Sequence, residues 1–305
     1  MRILVVGAGA TGGYFGGRLA QAGRDVTFLV RERRLQQLQQ NGLILQTPSG
    51  TETLHPQLAQ ASTLNGPFDL IILTVKSVGL EQAMQDIAPA VGPETLIMPI
   101  LNGMRHIDTL RDRFGEHRVI GGLCKINATL GANGEVVQMT PLQQIYYGAL
   151  DGNNDARLER VDAALSDCGL ETIFSDDIIS ELWEKWLLLS TLGAVTCLSR
   201  GNTQQILRSQ GGEALLQGVF SEILAVISAD GYHPRPAVTA KIYAILSNPD
   251  TPMTSSMYRD LSQGYDIESD QVIGDLLLRA SRNSVSTPLL NAVNVNLQVY
   301  RQALA

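Results

Sequence analysis

The chain opens with Arg2-Ile-Leu-Val-Val6 and breaks at once into Gly7-Ala-Gly-Ala-Thr-Gly12-Gly13. A short apolar run, a turn without bulky side chains and a helix-forming stretch from Tyr14 to Ala22 bring bare backbone N–H groups to the positive end of a helix dipole. A pyrophosphate binds there in a βαβ dinucleotide unit, and each glycine has its own task. Gly7 permits the tight turn, Gly9 lets backbone approach the phosphates, and Gly12 lets the helix lie close to the strand. A second strand, Asp25-Val-Thr-Phe-Leu-Val30, completes the unit. The bland alternative is a glycine turn in an α/β domain that holds no nucleotide. The position directly after an N-terminal strand favours the cofactor. A P-loop is excluded, because it needs Lys-Ser or Lys-Thr after its second glycine and this chain has Gly13-Tyr14.

The residue after the second strand selects the nicotinamide cofactor. An acid there accepts from the ribose 2′-hydroxyl, whereas an arginine accommodates a 2′-phosphate. Val30 is followed by Arg31, with Arg33 and Arg34 close behind, in a chain whose formal net charge is −7. The local basic cluster runs against the global balance and favours NADP(H). Glu32 is the residue an NAD ribose would use, and the plain reading of the segment is a solvated helix start of mixed charge.

At 305 residues the chain exceeds one ordinary core, so two domains are expected. A hydrophobic content of 44% describes a globular protein with ample core, and the excess of acids argues against nucleic-acid and anionic-membrane partners. No uninterrupted apolar stretch approaches bilayer length; the richest, Trp186-Leu-Leu-Leu189, runs into Ser190 and Thr191. The N-terminus lacks the order of a signal peptide, and Cys124, Cys168 and Cys197 are odd in number and widely spaced. Reduced thiols and a cytoplasmic location are expected. His55, His106, His117 and His233 show no metal-ligand spacing, so no metal is expected.

Strand-like runs recur at Leu43 to Thr47, Asp69 to Lys76, Thr95 to Leu101 and from Val119 onward. The unbroken hydrophobicity of Leu70 to Val75 is that of a parallel strand covered on both faces. The first part reads as an α/β Rossmann domain, a doubly wound and mostly parallel sheet. Leu158 to Leu165 and Glu171 to Phe174 add a helix and a strand, which places the boundary near Ser175. Residues 1–175 form the expected NADP-binding domain. From Asp176, helical periodicity dominates to the end, and residues 176–305 form an all-helical substrate domain.

Lys76 and Asn102 follow the apolar cores of two parallel strands, at the rim where open α/β sheets gather ligands. Taken singly, one reads as a solvated strand end and the other as Asn-Gly turn chemistry. Lys185 shares a helical face with Glu181, Leu182, Leu188, Leu189 and Leu192. An ammonium among leucines loses hydration, which eases proton release near neutral pH and suits a general acid. The competing reading is a stem covering apolar surface while the ammonium pairs with Glu181. Thr254-Ser255-Ser256-Met257 starts a helix, and Asp266, Glu268 and Asp270 place acids beyond it; capping and solvation explain both by pattern alone.

Taken together, these landmarks resemble the ketopantoate reductase (2-dehydropantoate 2-reductase) family along nearly the whole chain. They comprise GAGATGG, Arg31, Thr-Val-Lys76, Leu-Asn102-Gly-Met104, Trp183-Glu-Lys185, Ser255-Ser256-Met257 with Asp260, and Glu268 with Asp270 and Gly274. The resemblance implies a Rossmann domain joined to a helical domain like that of 6-phosphogluconate dehydrogenase, with substrate in the cleft between. It implies NADP(H) held by Gly7, Ala8, Gly9, Ala10, Thr11, Gly12, Arg31, Lys76, Asn102 and Glu268. It further implies a 2-oxo acid bound near Asn102, Lys185, Ser255 and Ser256, with Met253 in the same segment. Lys185 is then the proton donor after hydride delivery, and Glu268 the carboxylate that arranges the site. The implied activity is reduction of 2-dehydropantoate to pantoate for pantothenate biosynthesis, with a homodimer as the candidate assembly.

One departure stands out. The family commonly has asparagines one and two turns after the active lysine, where this chain has Leu189 and Gly193, while Thr196 matches. A site with fewer hydrogen bonds discriminates less among substrates, so another 2-oxo acid with a less polar tail is an alternative. A non-enzymatic NADP-sensing module is the remaining one.

Overall fold

The computed structural model describes residues 1–304. Contacts divide the chain into two compact units, Met1–Leu101 with His106–Ile179, and Asn102–Arg105 with the chain from Ser180 onward. The first unit runs β1 (Arg2–Val6), α1 (Ala10–Gln21), β2 (Asp25–Leu29), α2 (Glu32–Asn41), β3 (Leu43–Thr47), β4 (Gly50–Leu54), β5 (Gln57–Ala59), β6 (Phe68–Leu73), α3 (Leu80–Ile87), β7 (Val91–Pro99) and α4 (Arg105–Phe114, its first residue counted with the second unit). It closes with β8 (Gly121–Leu130), β9 (Val136–Gly148), α5 (Ala156–Leu165) and β10 (Glu171–Phe174).

Five strands form a wholly parallel sheet in the order β5-β2-β1-β6-β7. Ile3 and Val5 join one buried cluster and Leu4 and Val6 another, so β1 is covered on both faces, as its unbroken hydrophobicity requires. The register pairs Val6 with Leu29 and with Leu73, and Leu73 with Pro99. Four carboxyl ends therefore finish level, and whatever follows each of them emerges at one rim.

The parallel sheet with flanking helices is as expected, but it does not hold every strand. β3, β4, β8, β9 and β10 form a second, mixed sheet in which β3 pairs with β4 and β8 with β9 antiparallel. α1 lies between the two sheets. A methyl on Gly16 would come within 2.6 Å of Phe28 on one side, and methyls on Gly13 and Gly17 would meet Val136 and Leu43 at 2.7 and 3.1 Å on the other. The small face of α1 thus lets two layers close on a single helix.

The second unit contains α6 (Ile178–Ser199, its first two residues counted with the first unit), α7 (Thr203–Leu207), α8 (Gly212–Ala229), α9 (Pro236–Leu246), α10 (Ser256–Ser262), α11 (Asp275–Arg282) and α12 (Pro288–Gln302). α6 is its central element, with Trp183, Trp186, Leu187, Leu192, Ala194 and Val195 all buried. Its buried hydroxyls are satisfied locally. Ser190, Thr191 and Thr196 donate to the carbonyls of Trp186, Leu187 and Leu192 at 2.6, 2.8 and 2.6 Å.

α8 is 18 residues long and apolar enough, by length and composition, to cross a bilayer. Glu213 and Glu222 interrupt its apolar run, so it is no uninterrupted apolar stretch. Leu216, Val219, Phe220, Ile223, Val226 and Ile227 are buried at helical spacing, as in a core helix. Glu222 accepts the N–H groups of Leu289 and Leu290 at 3.0 and 2.9 Å, capping α12.

Candidate active site

Gly7 carries φ +94°, a backbone conformation that only glycine adopts freely, and its N–H donates to the carbonyl of Leu29 at 3.0 Å. A methyl on Gly12 would stand 2.1 Å from the Gly7 carbonyl oxygen and 2.2 Å from Thr74 Oγ1. Thr74 in turn donates to the carbonyls of Val6 and Gly7 at 2.9 and 3.1 Å, tying the end of β6 to the glycine turn. At Gly9 the situation is opposite. A methyl there meets nothing within 4 Å, and Gly9 caps α1 with no side chain on the helix's first N–H groups. This open, uncapped helix start fits the pyrophosphate of a dinucleotide.

Two predicted cofactor residues emerge at the same rim. Arg31 is the exposed N-cap of α2, and its Nη2 lies 3.8 Å from where a methyl on Gly79 would stand. Gly79 closes the 3-10 turn Ser77–Gly79, whose N-cap is the exposed Lys76. The basic side chain after β2 is therefore drawn toward the turn after β6, beside the glycine loop.

The remaining predicted residues belong to the second unit. Lys185 is half-buried on α6, between the buried Glu184 and Trp186. Trp186 Nε1 donates to the Val272 carbonyl at 3.1 Å. Val272 sits in a π-helical turn, Asp270–Gly274, that begins two residues after Glu268. Such turns widen a helix and are frequent at functional sites. On the same turn, a methyl on Gly103 would stand 2.7 Å from the Gln271 carbonyl, and Gly103 has φ +83°. One turn of backbone thus gathers the neighbours of Lys185, Glu268 and Asn102.

Farther along α6, Thr196 Oγ1 lies 3.2 Å from Ser255 Oγ. Ser255 is the N-cap of α10 and accepts the Tyr258 N–H at 2.9 Å, whereas Ser256 is exposed and Met253 half-buried. A methyl on Gly193 would come 2.9 Å from Met257 Cε. Met257 therefore fills the notch left by glycine two turns after Lys185. Glu181 accepts from Arg235 Nη2 at 2.8 Å, and so lies within an acid–arginine group that sequence periodicity did not reveal.

Residues 3–152 match the family model for ketopantoate reductase PanE/ApbA, and residues 177–301 match the model for its C-terminal domain. The chain belongs to the ketopantoate reductase family. It is 35% identical to the uncharacterized oxidoreductase YkpB of Bacillus subtilis, over 98% of this chain and 99% of that one. The crystal structure of 2-dehydropantoate 2-reductase from Geobacter metallireducens GS-15 superposes with a TM-score of 0.87 at 25% identity, covering 98% of this chain and 99% of the other. D-mandelate dehydrogenase, in a ternary structure with NADH and anilino(oxo)acetate, shares the fold with a TM-score of 0.89 at 23% identity, covering 100% and 99%. As a ketopantoate reductase family member, the chain is an oxidoreductase that uses a nicotinamide dinucleotide. Gly7 to Gly12 lie within the first matched segment and Lys185 within the second.

Proposed function

We propose that the chain reduces 2-dehydropantoate to pantoate with NADPH, a step of pantothenate biosynthesis, as a cytoplasmic homodimer. The observation that carries this reading is the gathering of Trp186, Gly103 and the segment after Glu268 on one π-helical turn, which supports joint roles for Lys185, Asn102 and Glu268. The named activity of the Geobacter relative supports the substrate.

When bound, the reduced nicotinamide supplies the hydride that the keto carbon accepts. Lys185 then donates from Nζ to the carbonyl oxygen as negative charge grows there, stabilising the transition state more than the ground state. Glu268 and Asn102 orient the reacting groups, while Ser255 and Ser256 hold the substrate. Gly7, Ala8, Gly9, Ala10, Thr11 and Gly12 hold the pyrophosphate, Arg31 takes the 2′-phosphate, and Lys76 and Asn102 hold the dinucleotide with them. The exposed Arg31 supports NADP over NAD, although the structural neighbour D-mandelate dehydrogenase holds NADH.

A second reading is favoured by one feature. Leu189 and the Met257-filled notch at Gly193 give α6 an apolar surface in the two turns after Lys185, which suits a 2-oxo acid with a less polar tail. Steady-state NADPH oxidation with 2-dehydropantoate and a panel of alkyl and aryl 2-oxo acids separates the two. The highest kcat/KM with 2-dehydropantoate supports the first reading, and the highest with an apolar acid supports the second. Tight NADPH binding without turnover of any 2-oxo acid would leave a sensing module. Arg31→Ala should weaken NADPH and spare NADH, and an unchanged preference would remove the 2′-phosphate role.

A further inference from the structure

Arg34 stands in the first turn of α2 and is half-buried, unlike its exposed neighbours Arg31 and Arg33. Its Nε donates to the Ala8 carbonyl at 2.9 Å, inside the glycine loop. Its Nη1 donates to Gln37 Oε1 at 2.6 Å and to the Gly134 carbonyl at 2.8 Å, in the turn between β8 and β9. Gln37 Nε2 reaches the Asn133 carbonyl of that same turn. A methyl on Gly134 would stand 2.3 Å from Gln37 Nε2 and 2.5 Å from Arg34 Nη1, so the turn closes tightly over both side chains.

All three acceptors are neutral oxygens, and Nη2 is buried without a hydrogen-bond partner. The guanidinium thus meets no counter-charge among these partners, and its bonds go to backbone and amide oxygens of the glycine loop, α2 and the β8–β9 turn. A trans peptide is planar, and its N–H points opposite to its C=O. Holding the Ala8 carbonyl toward α2 therefore turns the Gly9 N–H away from α2. A cation on the carbonyl also polarises the peptide and strengthens that N–H as a donor.

We propose that Arg34 is a positioning residue that fixes the Ala8–Gly9 peptide of the pyrophosphate loop by bracing it against the β8–β9 turn. The inference rests on the reading of the glycine loop as the dinucleotide site. A residue acting through the loop affects what all dinucleotides share, whereas a ligand of the 2′-phosphate affects NADPH alone.

The test is fluorescence titration of the full chain with NADPH and with NADH, for the native protein, Arg34→Ala, Arg34→Lys and Gln37→Ala. Both arginine variants should weaken NADPH and NADH alike by about tenfold, the worth of one charge-assisted hydrogen bond. Their ratio should stay at the native value, and kcat at saturating cofactor should remain within about twofold, since the chemistry is untouched. Gln37→Ala should show the same equal pattern at about threefold, because one brace remains. If Arg34→Ala does not fold, Arg34→Lys and Gln37→Ala carry the test. Loss confined to NADPH, or no loss with either dinucleotide, overturns the proposal. A native chain that binds neither dinucleotide overturns the reading of the loop itself.

Discussion

Arg235 grips Glu184 through three donors: its backbone N–H and Nε reach Oε1 at 3.0 and 2.8 Å, and its Nη2 reaches Oε2. Glu184 is 3% exposed, so its charge is satisfied almost wholly by this one partner, and the carboxylates of Glu184 and Glu181 raise the Arg235 pKa further. The pair anchors the start of α9 to the turn of α6 that carries Lys185. Arg235→Ala leaves a buried carboxylate stranded. We expect a loss of about 2–3 kcal/mol in urea denaturation, below the full value for a buried pair because the arginine is partly exposed. A loss under about 0.5 kcal/mol would mean that the pair is ornamental.

Gly9 and Gly12 should separate binding from folding. Gly9→Ala meets no protein atom, so its melting temperature should match the native one while NADPH affinity falls. Gly12→Ala collides with the Gly7 carbonyl and Thr74, so both should fall. Thermal melts with and without NADPH check this. Equal affinity in Gly9→Ala and the native chain would argue against the open face of the loop as the phosphate cradle.

Gly193 governs the surface beyond Lys185. Gly193→Asn displaces the flexible end of Met257 and adds an amide donor. The ratio of kcat/KM for 2-dehydropantoate over a branched alkyl 2-oxo acid should rise about tenfold, the worth of one hydrogen bond to the substrate hydroxyl. An unchanged ratio would separate this notch from substrate selection.

Burial pushes the Cys197 thiol up to about 12 from an ordinary value of 9.0. The folded pKa lies above the unfolded one, so its stabilising contribution is complete below pH 9 and is lost as pH rises through about 12. Denaturation midpoints should therefore fall less steeply above pH 9 in Cys197→Ala than in the native chain. Maleimide at pH 8 should label the half-buried Cys124 first and reach the buried Cys168 and Cys197 only on unfolding.

The glycine loop and the strand ends were legible because their signals are local. A βαβ unit announces itself within thirty residues, and continuous hydrophobicity in Leu70 to Leu73 marks a strand covered on both faces. β9 was not legible. Gln138, Thr140, Pro141, Gln143 and Gln144 interrupt its apolar positions, and it forms a strand because Val136 and Ile145 pack into a shared core. Three arginines within four residues look alike as a basic cluster, and only tertiary structure distinguishes Arg34, turned inward onto Ala8, from Arg31 and Arg33. The notch at Gly193 depends on Met257, sixty-four residues later in the chain, and no spacing rule joins them.

The most direct test is single-turnover NADPH oxidation by Lys185→Ala, with 2-dehydropantoate and the best substrate of the panel, beside NADPH titration of the same variant. The rate should fall by about 10²–10⁴, the usual worth of a positioned general acid, while the NADPH Kd stays within about twofold of the native value. An undiminished rate, or losses of similar size in rate and cofactor affinity, would contradict proton donation by Lys185.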